Sequence, residues 1–569
     1  MNNKKTYKVS TTKNTTTLTD KDYLAVGGQA MVFAKKKQGL AYKIYHDPKQ
    51  MIPVAKIQEL AELKHDNILA PIEPLYDTVT RVPVGFTMRY VQGIEFLCKI
   101  FTRTFRDEKN ISPMEIVGLV TQKQNTLRYI HTQSNHTILG VDLNEMNFLL
   151  DKDIKNVYFI DVDNYQTKNF PCVAIMESIR DRTTKRGEFS ELTDWFSWAV
   201  VTFQMYIGMH PYKGFCKGFK PAEWSKRMDQ GVSCFHPDAS LPTTCQDFSV
   251  IPKKHRDWYE AVFQHGERSI PPFADGVVIA AAIVRTIGSK GDFVVRELLE
   301  TPEPIMNVYV SNGKRFIVTS GGVYDNQKKK VVTFQKPYKR AQKGLCDVFG
   351  EDPLFVYLKD LKAKFYELNG TEVSSIKAED IMGSNGAIYT INNGQLIENT
   401  FERFGKLQHR TKMVCDISMS YKVFKGVVIQ DDFMKCRLAI PFEIGKCINV
   451  NIEELDGQRI VDARYEKGIC VVLAEKQGKY FRYILCFNDA HSDYSILTED
   501  VIDFHLVNFT VLPNKMCLLI DDEKLSMFKN NKGRKEITNL PFDVSMRLYH
   551  DNMQVLFVDD RKLYSVTMK

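Results

Sequence analysis

The sequence predicts an α+β domain followed by an all-β repeat domain. Three observations carry that division. A glycine-tipped pair of β-type runs, Leu24–Phe33 and Gly39–Tyr45, opens the first part. A strongly apolar stretch with helical spacing, Leu192–Tyr206, lies deep inside it. From about Pro302 helical periodicity stops, and short β-type runs separated by Asn, Asp and Gly turns take over.

Length and composition set the frame. At 569 residues the chain is too long for one hydrophobic core, and two domains account for it. With 44% hydrophobic and 26% charged residues it reads as a globular protein, neither disordered nor membrane-embedded. The Lys- and Thr-rich residues 1–19 lack an apolar core and read as a flexible tail. The longest apolar run, Gly276–Val284, falls far short of the roughly 18 residues a membrane span needs, so no membrane is expected. The twelve cysteines contain no C-x-x-C pair, which argues against structural zinc and for reduced thiols in a cytoplasmic setting. The net charge of +8 is modest for this length, and Lys35–Lys37 and Lys328–Lys330 read as solvated turns. No nucleic-acid partner is expected.

Within the first part, Gly27 and Gly28 sit at the hairpin tip, where backbone N–H groups can approach phosphates, and Lys43 on the following strand supplies a cation. Further on, Gly140–Leu150 precedes Val157–Asp163, two apolar strands with polar residues between them. Asp142 and Asn147 are five residues apart, and Asp161 ends the second strand. Two carboxylates and an amide in that layout suit Mg²⁺ binding and acceptance of a hydroxyl proton.

D-L-N-x-x-N followed by I-D-x-D resembles the catalytic and metal-binding loops of the protein-kinase superfamily. The resemblance implies a bilobal kinase-like domain over residues 20–285, with its N-lobe at 20–91 and C-lobe at 92–285, using ATP and Mg²⁺. It makes Asp142 the catalytic base, Asn147 and Asp161 the metal ligands, and Lys43 the phosphate-binding lysine. Val32 would cover the adenine, Met88 would be the gatekeeper, and backbone groups of Arg89 and Val91 would meet the adenine edge. Asp194, opening the apolar helix with Thr193 or Asp194 as its cap, would brace the catalytic loop, and Arg268 matches a late C-lobe arginine.

The sequence also departs from that family. Ala25 and Ala30 stand where glycines are usual. Lys56 takes the place of the lysine-pairing glutamate, with Glu59 as the substitute partner for Lys43. Gly140 and Val141 replace His-Arg, Asn144 replaces the catalytic-loop lysine, and Asp163 replaces a glycine. Arg180, Arg182, Lys185 and Arg186 form a basic stretch, either a peptide-binding surface or a charged solvent loop.

In the second part, Asn514–Leu525 matches Asn552–Leu563 at an offset of 38, and Asn385–Leu396 fits the same frame. Looser copies begin near Asn312, Asp352, Lys425 and Lys467, at a mean spacing of about 40 residues, a repeat length typical of four-stranded propeller blades. The expectation is therefore a linker over 286–303 and a seven-bladed β-propeller over 304–569, closed by a strand near Asn307–Val310. Its faces would recruit a protein substrate or partner. The whole chain then reads as an atypical serine/threonine protein kinase. The alternative is a weak or inactive kinase-like scaffold, virion-associated if the Asn- and Lys-rich composition reflects a viral genome.

Overall fold

The computed structural model describes residues 6–133, 137–172, 174–274, 287–288, 293–311, 314–327, 329–333, 343–349, 352–367, 370–384, 386–521 and 524–568. Gly276–Val284, Asn312, Lys328 and Asn385 of the sequence reading lie outside these. The chain divides into two compact units, Met1–Arg106 with Ile111–Val284, and Asp107–Asn110 with Arg285–Lys569.

The first unit is built on a seven-stranded antiparallel sheet. Its strands are β1 (Tyr7–Ser10), β2 (Thr15–Leu18), β3 (Tyr23–Val26), β4 (Ala30–Lys35), β5 (Leu40–Tyr45), β6 (Pro71–Asp77) and β7 (Pro83–Arg89), in the order β2-β1-β6-β7-β5-β4-β3. Apolar and aromatic residues dominate β4 and β5, and β5, an interior strand of the sheet, is buried from Ala41 to Tyr45. Phe33 is fully buried and takes the rings of Tyr7 and Tyr23 at 5.4 and 5.6 Å. Gly85 is required where β7 lies on β5, because a Cβ there would stand 1.9 Å from the Lys43 carbonyl oxygen. Residues 6–18, expected as a flexible tail, instead form the β1–β2 hairpin and join the sheet through Val9 opposite Asp77.

Helix α1 (Val54–Leu60) contacts β6, turning Lys56, Ile57 and Leu60 inward. The helices α2 (Arg103–Lys109), α3 (Pro113–Gln133), α4 (Glu191–Ile207), α5 (Trp224–Asp229) and α6 (Lys253–Phe263) follow. A small sheet of β8 (Ile94–Phe96), β9 (Phe148–Asp151) and β10 (Val157–Phe159), in the order β10-β9-β8, carries the loops that matter for the site. Helix α4 buries Trp195, Trp198, Phe203 and Tyr206 almost completely. Its cap is Ser190, whose hydroxyl accepts the Thr193 N–H at 3.4 Å in a capping box, so neither Thr193 nor Asp194 is the cap. Asp194 lies in the first turn and faces the interior.

Among the described residues the second unit forms seven four-stranded antiparallel sheets. Each repeat hairpin of the sequence supplies the two central strands of one sheet, as in Cys517–Asp521 with Lys524–Lys529 and Gln554–Asp559 with Lys562–Met568. In one sheet the first strand of the unit, Phe293–Glu300, pairs with the last, Lys562–Met568, from Phe293 opposite Met568 to Glu300 opposite Lys562. That strand falls in the span read as a linker, and it takes the place expected for Asn307–Val310, which belongs to the next sheet. Its own Phe293 and Leu299 are buried.

The expected fold class is corrected. Strands occupy 44% of the chain and helices 19%, with six α-helices among the described residues, so the chain is mainly β rather than an α+β bilobal domain. Between α3 and α4, the described residues, rich in Asp, Asn and Thr, fold into turns, short strands and single-turn helices, where local side-chain bonds compete with a helix. The expected seven-bladed propeller is likewise corrected. The strand pairing defines small separate sheets, each with its own ladder, and no arrangement among them.

Candidate active site

The first unit gathers charged side chains from three places far apart in sequence. Lys43 projects from β5, paired in register with Val32 on one side and Phe86 on the other. Its ammonium lies 3.2 Å from Asp161 Oδ1 and 2.8 Å from both carboxylate oxygens of Asp163. Asp163 is 3% exposed and also accepts the Tyr45 hydroxyl at 2.6 Å. Burial pushes Lys43 toward neutrality, but the charges of Asp163 and Asp161 outweigh it and hold the ammonium above its ordinary value.

Lys56 completes this cluster from α1. Its Nζ donates to the backbone carbonyl of Asp163 at 2.8 Å, and burial lowers its pKa. Glu59, expected to pair with Lys43, instead accepts the Asn169 side-chain amide at 2.6 Å. Lys56 and Glu59, three residues apart, share one face of α1; Lys56 takes the Asp163 backbone and Glu59 is engaged by Asn169. The partner of Lys43 is Asp163, a residue the sequence reading recorded only as a departure.

The loop before β9 is fixed from below by Asp194. Its carboxylate is fully buried and accepts the N–H groups of Gly140 at 2.7 Å and Val141 at 2.8 Å, while His131 Nε2 lies at 2.9 Å. Val141 has φ +55, a left-handed backbone that costs a β-branched residue about 1–3 kcal/mol. Two charge-assisted hydrogen bonds hold it there. Asp161 is also left-handed, with φ +53.

Asp142 is half-buried and accepts the Met176 N–H at 3.0 Å through Oδ1. The Asn147 amide donates to the Asp142 carbonyl at 2.8 Å, which leaves its oxygen on the other side of the group. Asn144 is buried, and its oxygen caps the following turn by accepting the Met146 N–H at 2.9 Å. Tyr165, which the sequence did not single out, is buried among these groups, and burial together with Asp194, Asp161 and Asp142 pushes its pKa up.

Gly27 donates to the Ala30 carbonyl at 2.8 Å and closes the β3–β4 tip. A Cβ at Gly28 would meet nothing within 4 Å, and its backbone is not left-handed, so the fold itself does not demand glycine there. Val32 is half-buried in β4, and Met88 packs beside Tyr45 and Phe86. Arg89 turns away, donating to the Asp66 carbonyl and lying over the Tyr158 ring, while Tyr90 N–H donates to the Gly39 carbonyl at 2.8 Å. Val91 is half-buried at the end of this strand.

Arg268 makes a bidentate pair with Asp181 at 2.6 and 2.7 Å. Asp181 sits among the basic residues and was missed for that reason. Arg180, Arg182 and Arg186 all turn onto Glu177, so these three cations are engaged within the chain. Glu177 is held down to about 2: burial opposes the shift, and the hydrogen bonds from Arg182, Arg180 and Arg186 win.

The same segment is pinned by His210, whose Nε2 lies 2.8 Å from the Ser178 carbonyl while Nδ1 accepts the Tyr212 N–H at 3.2 Å. Both ring nitrogens are used in the neutral form. Burial, with Lys213 adding to it, lowers its pKa to about 3. The unfolded chain therefore binds a proton near pH 6.5 that the folded one refuses, and stability is lost as pH falls from there toward 3. We expect a slope of about 1.4 kcal/mol per pH unit from this residue in urea unfolding between pH 6 and pH 4.5, flattened in His210→Gln. Equal slopes in the two proteins would refute it.

Among the described residues no group of three or more His, Cys, Asp or Glu side chains converges as a metal site. Asn147 and Asp161 alone are too few for a free-standing ion. Mg²⁺, however, is commonly held by one or two carboxylates with phosphate oxygens and waters completing its shell, and this donor set suits a nucleotide-bound ion. Among the described residues no helix is long and apolar enough to cross a membrane. No protein-family model matches the chain, and no curated protein matches it.

Proposed function

We propose that the first unit binds ATP with Mg²⁺ and transfers its γ-phosphoryl group to a serine or threonine hydroxyl of a protein, as an atypical member of the protein-kinase superfamily. The observation that carries the reading is the convergence of Lys43 with Asp161, 118 residues apart, beside the Asp142–Asn147 turn. Bound Mg²⁺ would neutralise phosphate charge between Asn147 and Asp161. Lys43 would fix the nucleotide, and Asp142 would orient the attacking hydroxyl and accept its proton. The open Gly27–Gly28 tip leaves room for phosphates under the backbone. The repeat sheets of the second unit would recruit the substrate or a partner, in the cytoplasm.

Asn144 favours a second reading, a nucleotide-binding scaffold with little or no transfer. Its side chain is consumed in capping a turn and brings no cation to the γ-phosphate. Purified chain with radiolabelled ATP and Mg²⁺ separates the two. We expect label transfer to itself or to a generic basic protein, abolished in both Asp142→Ala and Asp161→Ala. Binding of ATP by wild type with transfer no better than the variants selects the scaffold, and absence of ATP binding overturns both.

A further inference from the structure

Among the described residues, Cys415 and Cys447 are part-exposed, whereas the other cysteines of the second unit are buried. They sit on Lys406–Asp416 and Lys446–Asn451, the outer strands of two different four-stranded sheets. These strands lie alongside one another, and the Asn449 amide donates to the Asp416 carbonyl at 3.1 Å across the gap. Both thiols pack against one apolar cluster that includes Tyr389, Leu396 and Ile417. Each cysteine also adjoins a β-bulge: the register shifts between Leu396, opposite Cys415, and Ile397, and again between Pro441, opposite Cys447, and Glu443. Bulges re-aim side chains at sheet edges and give local freedom that a regular ladder lacks.

We propose that Cys415 and Cys447 are a reversible thiol–disulfide site that ties these two sheets together under peroxide. Cys447 is the largest influence holding the Cys415 thiol below its usual range, with the Asn449 amide assisting, while Cys447 itself is pushed up by its neighbour and by burial. The two roles differ accordingly. The Cys415 thiolate attacks hydrogen peroxide and breaks the O–O bond, giving a sulfenic acid and, with a solvent proton, water. Cys447 sulfur then attacks the Cys415 sulfur, the S–O bond breaks, and hydroxide leaves as water with the Cys447 proton. Two thiols lose two electrons in all, and one peroxide becomes two waters.

The test is peptide mapping of the full chain after hydrogen peroxide, alkylation and trypsin without reductant. We expect a linked pair joining residues 413–422 to residues 447–459, which dithiothreitol releases. The oxidised chain should melt several degrees higher than the reduced one, since a cross-link restricts the unfolded ensemble. In Cys447→Ser the melting shift should vanish and dimedone should trap a sulfenic acid on Cys415. Over-oxidation of the two cysteines without a link, or a link chiefly to another cysteine, overturns the proposal.

Discussion

Asp194→Ala is expected to destabilise the first unit by about 4 kcal/mol, because it removes one buried acceptor from three donors at once. The N–H groups of Gly140 and Val141 and the His131 ring all lose their partner in a place water does not reach. The strain at Val141 is then unopposed, and the loop carrying Asp142 is free to relax. Urea unfolding followed by tryptophan fluorescence reads this directly. All four tryptophans, Trp195, Trp198, Trp224 and Trp258, belong to the first unit, so the second does not contribute to the signal. Asp194→Asn keeps one acceptor oxygen and should lose about half as much. A loss under about 1 kcal/mol for the alanine variant would show that the loop holds its conformation without the carboxylate.

Asp194 also marks the limit of what the sequence disclosed. Its bracing role was expected only through the resemblance, and its burial fits that role because an unpaired carboxylate there would be costly. The cap was misread because Ser190, Thr193 and Asp194 all suit that position, and only backbone geometry distinguishes them. The seven repeat hairpins were legible for a different reason: Asp, Asn and Gly turns between apolar runs mark tight hairpins locally. The strand Phe293–Glu300 was not, since its partner lies at the far end of the chain and strand pairing over that distance leaves no local trace. The mainly β class was missed because the α+β expectation came with the resemblance of the Asp142–Asp163 motifs and not from helical periodicity read along the chain.

The charge arrangement around Lys43 was the least legible part, because its partner comes from a loop 120 residues further along the chain. Sequence spacing offered Glu59, and the structure supplies Asp163 from the loop after β10. A double-mutant cycle tests this. Asp163→Asn should cost about 3 kcal/mol by leaving Lys43 and the Tyr45 hydroxyl short of an anionic acceptor. Lys43→Met together with Asp163→Asn should cost clearly less than the sum of the single changes, a coupling of about 2 kcal/mol. Lys56→Met with Asp163→Asn should instead be additive within about 0.5 kcal/mol, since Lys56 bonds the Asp163 backbone carbonyl, which the substitution leaves in place. The sign of the pH dependence follows from the raised pKa of Lys43: its contribution is complete below the unfolded lysine value of about 10.4 and fades only as pH climbs through the higher folded one. The coupling should therefore be equal at pH 6 and pH 9. A Lys43–Asp163 coupling below about 0.5 kcal/mol would mean that Asp161 alone positions the lysine. The placement of Lys43 would then owe nothing to the residue that replaces glycine at position 163.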